Sequence, residues 1–486
     1  MSLKQKAISG FLWSFIDIFS NSGMQFVVGI ILARILSPRE FGLIGMLTIF
    51  IAISQSFIDS GFSSALIRKK DCTQVDYSTI FYFNLVIGIF FYLILFVSAS
   101  AISSFFNEPQ LEIMLKILGL GLILNAASII QRTILTKNIN FKLQTKISFV
   151  ATVGSASIAI TMALYNYGVW SLVALTISRF GLNALFLWLW AKWKPLWVFS
   201  KQSFNELFSF GSKLLISGLI DTTYRNIYFL VIGKYFSATE LGYYTRADQF
   251  QALPSQNLNG IISRVSYPLL ASIRDDIPRL KNNYQKLIRS TMFLTFVLML
   301  GMAAVAKPMI LTLIGEKWLP SVVYLQMLCF VGMFYPLHAL NLNMLQVQGR
   351  SDLFLKLEII KKILAVPIII IGIIWGIKIM IAGMMLNTII AYYLNSYWSG
   401  KMIGYSFKQQ VKDILPAFGI AILMAIIVFF LGLILPFSPL WTLLIQVSTG
   451  AIFIIILSEI LKFKDYIFIK NLALEKIESI RTNRND

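Results

Sequence analysis

The chain has 486 residues, of which 57% are hydrophobic and 13% charged, and its formal net charge is +20. This composition excludes an ordinary soluble globular domain, in which about a quarter of the residues are charged. Apolar runs of about 20 residues recur along the whole length, so most of the chain is expected to lie in a lipid bilayer.

The apolar runs predict about fourteen membrane-spanning helices. Their length, and the lack of two-residue alternation, favour helices over the strands of a membrane barrel. The predicted spans cover residues 8–36, 41–66, 77–103, 111–136, 142–165, 168–193, 207–235, 241–270, 282–306, 321–346, 353–376, 379–404, 412–435 and 439–462. No small-residue cleavage site follows the first span, and it is too long for a signal-peptide core, so we expect it to be retained.

The basic residues are concentrated in alternate connections between the spans. Basic clusters occur at 68–70, 192–201, 274–289 and 350–362, whereas the intervening connections carry few lysines or arginines. Cytoplasmic loops of membrane proteins carry this excess, which predicts that both termini are cytoplasmic. The positive charge is therefore interpreted as membrane topology, and no nucleic-acid partner is expected.

The chain contains an internal repeat. The segment 34–42 has a counterpart in 234–242, with serine, glutamate and glycine at the same spacing, and the segment 106–118 similarly resembles 314–328. By the predicted spans, an even number of helices separates the copies. The two halves should therefore share one orientation and be related by a pseudo-two-fold axis along the membrane normal.

The predicted fold class is all-α, a polytopic membrane protein with two pseudo-symmetric six-helix lobes plus two C-terminal helices. The predicted domains are an N-terminal lobe at 1–200, a second lobe at 201–408, the last two spans at 409–463 and a cytoplasmic tail at 464–486. Two bundles of equal topology tend to leave a cleft on their axis, and rocking them opens it to each side in turn. This layout favours a transporter.

Several predicted spans carry charged side chains. A charge near the centre of a bilayer costs about 3 kcal/mol or more, so such residues normally face a partner or a water-filled cavity. The candidates for binding an anionic substrate are Arg179, Arg225, Arg132, Arg34 and Arg246. The candidates for ion coupling are Asp17, Asp59 and Asp221.

Each candidate also has a purely structural interpretation. Asp221 and Arg225 stand four residues apart, where an ion pair can form within one helix. They can equally line a cavity, with the carboxylate holding the guanidinium until a phosphate arrives. Arg179 has no carboxylate one turn away, which favours a hydrated position. The other three arginines can extend to the membrane interface, and the aspartates can serve as caps or ion-pair partners.

The sequence contains no motif for catalysis or for a resident cofactor. Two cysteines and one histidine give no metal-ligand spacing, and no nucleophile elbow or phosphate-binding loop is present. We therefore expect a protein that is not an enzyme, with no cofactor or metal. Coupling to H⁺ or Na⁺ through the aspartates remains open.

Three stretches resemble a known family. They are 32–42, which ends Leu-Ser-Pro-Arg-Glu-Phe-Gly, 59–70, which reads Asp-Ser-Gly-Phe-Ser-Ser-Ala-Leu-Ile-Arg-Lys-Lys, and 315–328, which opens Gly-Glu-Lys-Trp-Leu-Pro. The chain resembles the Wzx-type polysaccharide flippases of the multidrug/oligosaccharidyl-lipid/polysaccharide exporter superfamily. The likeness is greatest to the subgroup that handles colanic-acid-like and teichuronic-acid-like polymers.

The resemblance implies fourteen helices in two lobes around a cationic cavity. It also implies that an oligosaccharide linked to undecaprenyl pyrophosphate moves across the bacterial inner membrane, as for an O-antigen, capsule or exopolysaccharide. The expected partners are this lipid-linked substrate, membrane lipids and other polysaccharide assembly proteins.

Two alternatives remain open at the level of sequence. A multidrug or cation exporter of the same superfamily would be expected to use carboxylates at mid-depth. A membrane glycan polymerase would be expected to carry a large outer loop with catalytic residues.

Overall fold

The computed structural model describes residues 20–59 and 61–482, and these residues contain helices and turns but no β-strand. Asp17 and the start of the first predicted span lie outside the described residues. The chain divides into two compact units, of which the first ends at Thr245 and the second begins at Arg246. The predicted lobe boundary near residue 200 divides the chain according to its internal repeat and not by contacts between residues, and it stays a prediction.

The first unit is built from nine helices within its described residues. They are α1 (20–35), α2 (Pro38–Asp59), α3 (Phe62–Arg68), α4 (Gln74–Phe106), α5 (Gln110–Ala126), α6 (Ile129–Lys137), α7 (Phe141–Leu164), α8 (Trp170–Trp190) and α9 (Lys201–Tyr235). The helix α7 packs on α8, α4 on α5, and α9 on α2.

The unit boundary falls within α10 (Ala238–Ala271). The rest of the second unit comprises α11 (Ile277–Ala304), α12 (Ala306–Leu313), α13 (Ser321–Gly332), α14 (Tyr335–Val347), α15 (Ser351–Trp375), α16 (Ile377–Ile403), α17 (Phe407–Ile434), α18 (Pro439–Ile460) and α19 (Lys464–Thr482). Here α11 packs on α17, and α15 on α16. Trp318 and Tyr284 are fully buried in this unit.

The helices agree with the predicted all-α membrane fold. Ten helical segments of the described chain are long and apolar enough to cross a bilayer. The other predicted spans correspond to α1, α9, α10 and α15, which are helical where the structure describes them. The helices α9 and α15 carry several charged side chains within their length.

Two spans of the first unit are interrupted. The second predicted span breaks between α2 and α3 at Gly61, whose φ of +68° is a left-handed conformation that favours glycine. A Cβ atom there would also lie 2.7 Å from the carbonyl oxygen of Gly211. The fourth span breaks between α5 and α6, at residues 127–128. Interrupted backbone at membrane depth is tolerated where protein or a water-filled cavity surrounds it.

The repeated turns at residues 34–42 and 234–242 contact each other reciprocally. A Cβ atom on Gly42 would lie 1.6 Å from the carbonyl oxygen of Ala238, and one on Gly242 would lie 1.9 Å from that of Pro38. A contact in which each partner touches the equivalent part of the other is the mark of a local two-fold relation. The absence of a side chain at both glycines lets the two turns touch through their backbones.

Replacing either glycine should lower stability, because a methyl group overlaps a carbonyl oxygen and the turns must separate. We expect Gly42→Ala and Gly242→Ala to destabilise the purified protein by about 1–3 kcal/mol each, the usual cost of overpacking. Gly218→Ala is the matched control, since a Cβ atom there meets nothing within 4 Å. Thermal unfolding in detergent is the measurement, and wild-type melting of both variants would contradict the contact.

Candidate functional site

A cavity of about 560 Å³ lies within the first unit, next to both interrupted spans. It is lined by Ala52, Gln55, Ser56, Asp59, Ser63, Ile67, Asn125, Ile129, Arg132, Thr133, Thr136, Asp221, Thr222, Arg225 and Asn226. These residues come from α2 and α3, from α5 and α6, and from α9. By sequence, α9 begins the second copy of the repeat, so both copies contribute to the lining.

Each helix presents its polar residues on one face. The α2 and α3 contribution falls at positions 52, 55, 56, 59, 63 and 67, and the α9 contribution at 221, 222, 225 and 226. Steps of three and four residues keep side chains on one side of a helix. The helix α2 ends at Asp59 and α3 begins at Phe62 after Gly61, and the Ser63 hydroxyl donates to the Asp59 carboxylate at 2.7 Å.

The cavity contains an ion pair. The Nε of Arg225 lies 2.9 Å from an Asp221 carboxylate oxygen, with the two residues four positions apart on α9. The side chains are 68% and 49% exposed, so the pair is open to the cavity and not enclosed among apolar groups. The two residues therefore form the ion pair and also line the cavity, and phosphate binding by Arg225 stays a prediction.

Arg132 brings a second guanidinium group to the cavity from α6. One of its terminal nitrogens donates to the Asn183 side-chain oxygen on α8 at 3.4 Å. Arg179 lies one turn before Asn183 on the same helix, and its charge interacts with that of Arg132. Arg179 is half-buried and does not belong to the cavity lining.

The structure thus gathers four of the predicted residues in one place: Asp59, Arg132, Asp221 and Arg225. Arg34 is exposed near the end of α1, away from this lining. Arg246 belongs to the second unit, where its side chain donates to Gln249 at 2.8 Å and its guanidinium lies 5.8 Å from the Trp318 ring centre.

Sequence reasoning considered charges and missed the neutral polar residues. Eight such residues line the cavity, and one hydrogen bond of 3.0 Å joins the Ser56 and Thr222 hydroxyls across α2 and α9. The signal was present, since polar residues recur at helical spacing along otherwise apolar spans. A search for polar stripes, in addition to charges, would have found them.

The lining combines guanidinium groups that can pair with an anion and neutral polar groups that can pair with hydroxyls. Guanidinium groups recognise phosphate through paired, charge-assisted hydrogen bonds. The two carboxylates balance the two guanidiniums when the cavity is empty of anions. An arriving phosphate would compete with Asp221 for Arg225.

The chain is similar to known proteins both in sequence and in fold. The chain is 27% identical over 447 residues to the lipopolysaccharide biosynthesis protein WzxC of Escherichia coli, covering 90% of this chain and 89% of that protein. It is 28% identical over 361 residues to the teichuronic acid biosynthesis protein TuaB of Bacillus subtilis, covering 72% and 73%. The fold matches that of a lipid II flippase, MurJ in an inward closed conformation. The TM-score is 0.76 at 16% identity, over 94% of this chain and 100% of that one.

The family comparison confirms the resemblance drawn from the three motif stretches. The family model described as polysaccharide biosynthesis protein matches residues 31–323, which include every helix that lines the cavity. This match spans more than half of the chain. The chain is therefore a multi-pass membrane protein that belongs to the polysaccharide biosynthesis protein family.

Proposed function

We propose that the protein is a flippase that moves an oligosaccharide repeat unit, linked to undecaprenyl pyrophosphate, across the bacterial inner membrane. The repeat unit would serve an O-antigen, capsule or exopolysaccharide. The observation that carries this proposal is the cavity in the first unit, where Arg132 and Arg225 face a polar lining. Family membership and the names of the relatives support a glycan-linked substrate.

The physical problem for such a substrate is its charged head. Moving a diphosphate from water into hydrocarbon costs a large free energy unless other groups replace the water around its charges. Arginines in a hydrated cavity replace part of the water shell of the diphosphate, while the polyprenyl chain stays in the bilayer. The cavity needs to hold only the charged head and its nearest groups.

Alternating access supplies the directional step. Under the predicted orientation, with both termini cytoplasmic, the α6 end of the cavity is nearest the inner face. The head would enter there and leave at the outer face after the lobes rock. The protein would act as a transporter, without a resident cofactor and alongside other polysaccharide assembly proteins.

Removing either cavity arginine should stop translocation, because each supplies paired donors to the diphosphate. We expect Arg132→Ala and Arg225→Ala to lower polymer export at least tenfold in a strain lacking the native gene, as loss of one charge-assisted contact implies. Lipid-linked repeat units should accumulate on the inner face, as measured by mass spectrometry of extracted lipids together with protection from an external glycosidase.

Arg39→Ala is the control, because Arg39 pairs with Glu108 outside the cavity and is half exposed. This variant should support normal export. Full export by both cavity variants, each present in the membrane at wild-type amounts, would remove the arginines from the site. Repeat units that are translocated but not polymerised would instead favour a polymerase.

Ion coupling is proposed to act through Asp221. While this carboxylate is charged it competes with the diphosphate for Arg225, so a proton or Na⁺ on Asp221 would release the guanidinium. We expect Asp221→Asn to bind undecaprenyl pyrophosphate about twofold more tightly, which is the scale of an exposed i,i+4 ion pair. The same variant should export polymer more slowly, because the competition can no longer be switched.

Glu112→Gln provides the comparison for this variant. Glu112 forms an i,i+4 ion pair with Lys116 at 2.7 Å on α5, outside the cavity lining. The measurement is the binding of undecaprenyl pyrophosphate to the purified variants, detected by native mass spectrometry. An Asp221→Asn protein that binds more weakly than wild type would show that the carboxylate supports binding and does not compete with it.

A further inference from the structure

The lining of the cavity is mostly neutral and polar. Of its fifteen residues, eight are uncharged hydrogen-bonding residues and four are charged, and the apolar ones are Ala52, Ile67 and Ile129. Sites for apolar or drug-like ligands are lined predominantly by hydrophobic and aromatic side chains. The groups present here exceed what a diphosphate needs, and they are poorly suited to a lipid chain or a hydrophobic cation.

Two threonine hydroxyls in the lining lie within hydrogen-bonding distance of carbonyl groups of their own helix. The Thr133 hydroxyl donates to the Ile129 carbonyl at 2.8 Å, and the Thr136 hydroxyl lies 3.0 Å from the Arg132 carbonyl and 3.3 Å from the Gln144 side-chain oxygen, either of which can accept its hydrogen. A hydroxyl whose hydrogen is held by its own helix offers its oxygen lone pairs to an incoming group.

The contact between α2 and α9 also involves hydroxyl groups. The Ser56 hydroxyl lies 3.0 Å from the Ala52 carbonyl, to which it donates, and 3.0 Å from the Thr222 hydroxyl. Each hydroxyl has one hydrogen and two lone pairs, so this pair keeps lone pairs that can accept from an incoming donor.

These acceptors distinguish between the parts of the substrate head. A diphosphate offers only acceptor oxygens when ionised, so it cannot satisfy hydroxyl lone pairs. A sugar hydroxyl both donates and accepts, and it can pair with them. Three carboxamides add donors and acceptors from separate helices: Gln55 on α2, Asn125 on α5 and Asn226 on α9.

We propose that this neutral face, formed by the three carboxamides with Ser56, Thr133, Thr136 and Thr222, binds the sugar attached directly to the diphosphate and selects it by its hydroxyl pattern. This inference rests on the proposed function and adds the part of the substrate that is recognised. The arginines hold the diphosphate of every such lipid. The neutral face determines which first sugar is accepted.

The test compares two probes on the purified full-length protein in nanodiscs. One probe is undecaprenyl pyrophosphate, and the other is the same lipid carrying a single hexose, with binding measured by native mass spectrometry. Asn125→Ala and Thr133→Val should each weaken binding of the glycosylated probe by about three- to tenfold, the scale of a lost hydrogen bond, and leave the bare lipid unchanged. Binding of the wild-type protein to a series of lipids that carry different hexose epimers identifies the preferred sugar.

Thr176→Val is the control for Thr133→Val. The Thr176 hydroxyl also donates to its own helix, to the Leu172 carbonyl at 3.1 Å, but on α8 outside the cavity lining. This variant should bind both probes like wild type. Equal loss of both probes in Asn125→Ala and Thr133→Val, or no loss of either, would overturn the assignment of a sugar face.

Failure of the proposed function would look different. If Arg132→Ala and Arg225→Ala bind the bare lipid as well as wild type does, the diphosphate site is wrong. The neutral face is tested separately, by the ratio of the affinities for the two probes in Asn125→Ala and in Thr133→Val. A wild-type protein that binds every hexose epimer equally would also contradict selection at this face.

Discussion

The structure depends on one constraint: charged and polar side chains in membrane helices must be satisfied by one another or by water. Asp221 and Arg225 meet this constraint on α9 by pairing at 2.9 Å while remaining open to a cavity. The polar faces of α2 and α6 meet it by lining the same cavity. The polar cavity inside the first unit is where these side chains meet the constraint, and the proposed substrate path uses that cavity.

The interrupted helices serve the same constraint. At the breaks at Gly61 and at residues 127–128, the protein itself bonds backbone groups: Ala65 N–H donates to the Gly61 carbonyl at 3.0 Å, and the Trp188 indole N–H donates to the Ala127 carbonyl at 2.9 Å. Residues on both sides of each break line the cavity. At the repeated turns the chain is tightly joined instead, because Gly42 and Gly242 let backbone touch backbone.

Much of the fold could be predicted from the sequence, because hydrocarbon permits few ways to satisfy a backbone. The apolar runs predict the helices, whereas the contact between the two repeated turns is seen only in the structure. The helix breaks could not be read from hydropathy, since Gly61 and Ser128 stand in runs that are continuous by composition. Four of the eight charged candidates, Asp59, Arg132, Asp221 and Arg225, line one cavity. Depth along a helix could not separate them from Arg179, because facing depends on how α8 packs, and that is set by distant residues.

The most direct test of this account is whether the polar face of α9 meets water within the membrane. In a protein without its natural cysteines, Cys72 and Cys329, a single cysteine replaces Thr222 on the cavity lining or Ile216, which is 61% exposed on the same helix outside that lining. We predict that a small water-soluble thiol reagent labels Thr222→Cys in native membranes, that undecaprenyl pyrophosphate slows this labelling, and that Ile216→Cys stays unreactive. Equal and negligible labelling at both positions would show that no hydrated path exists and would contradict the account.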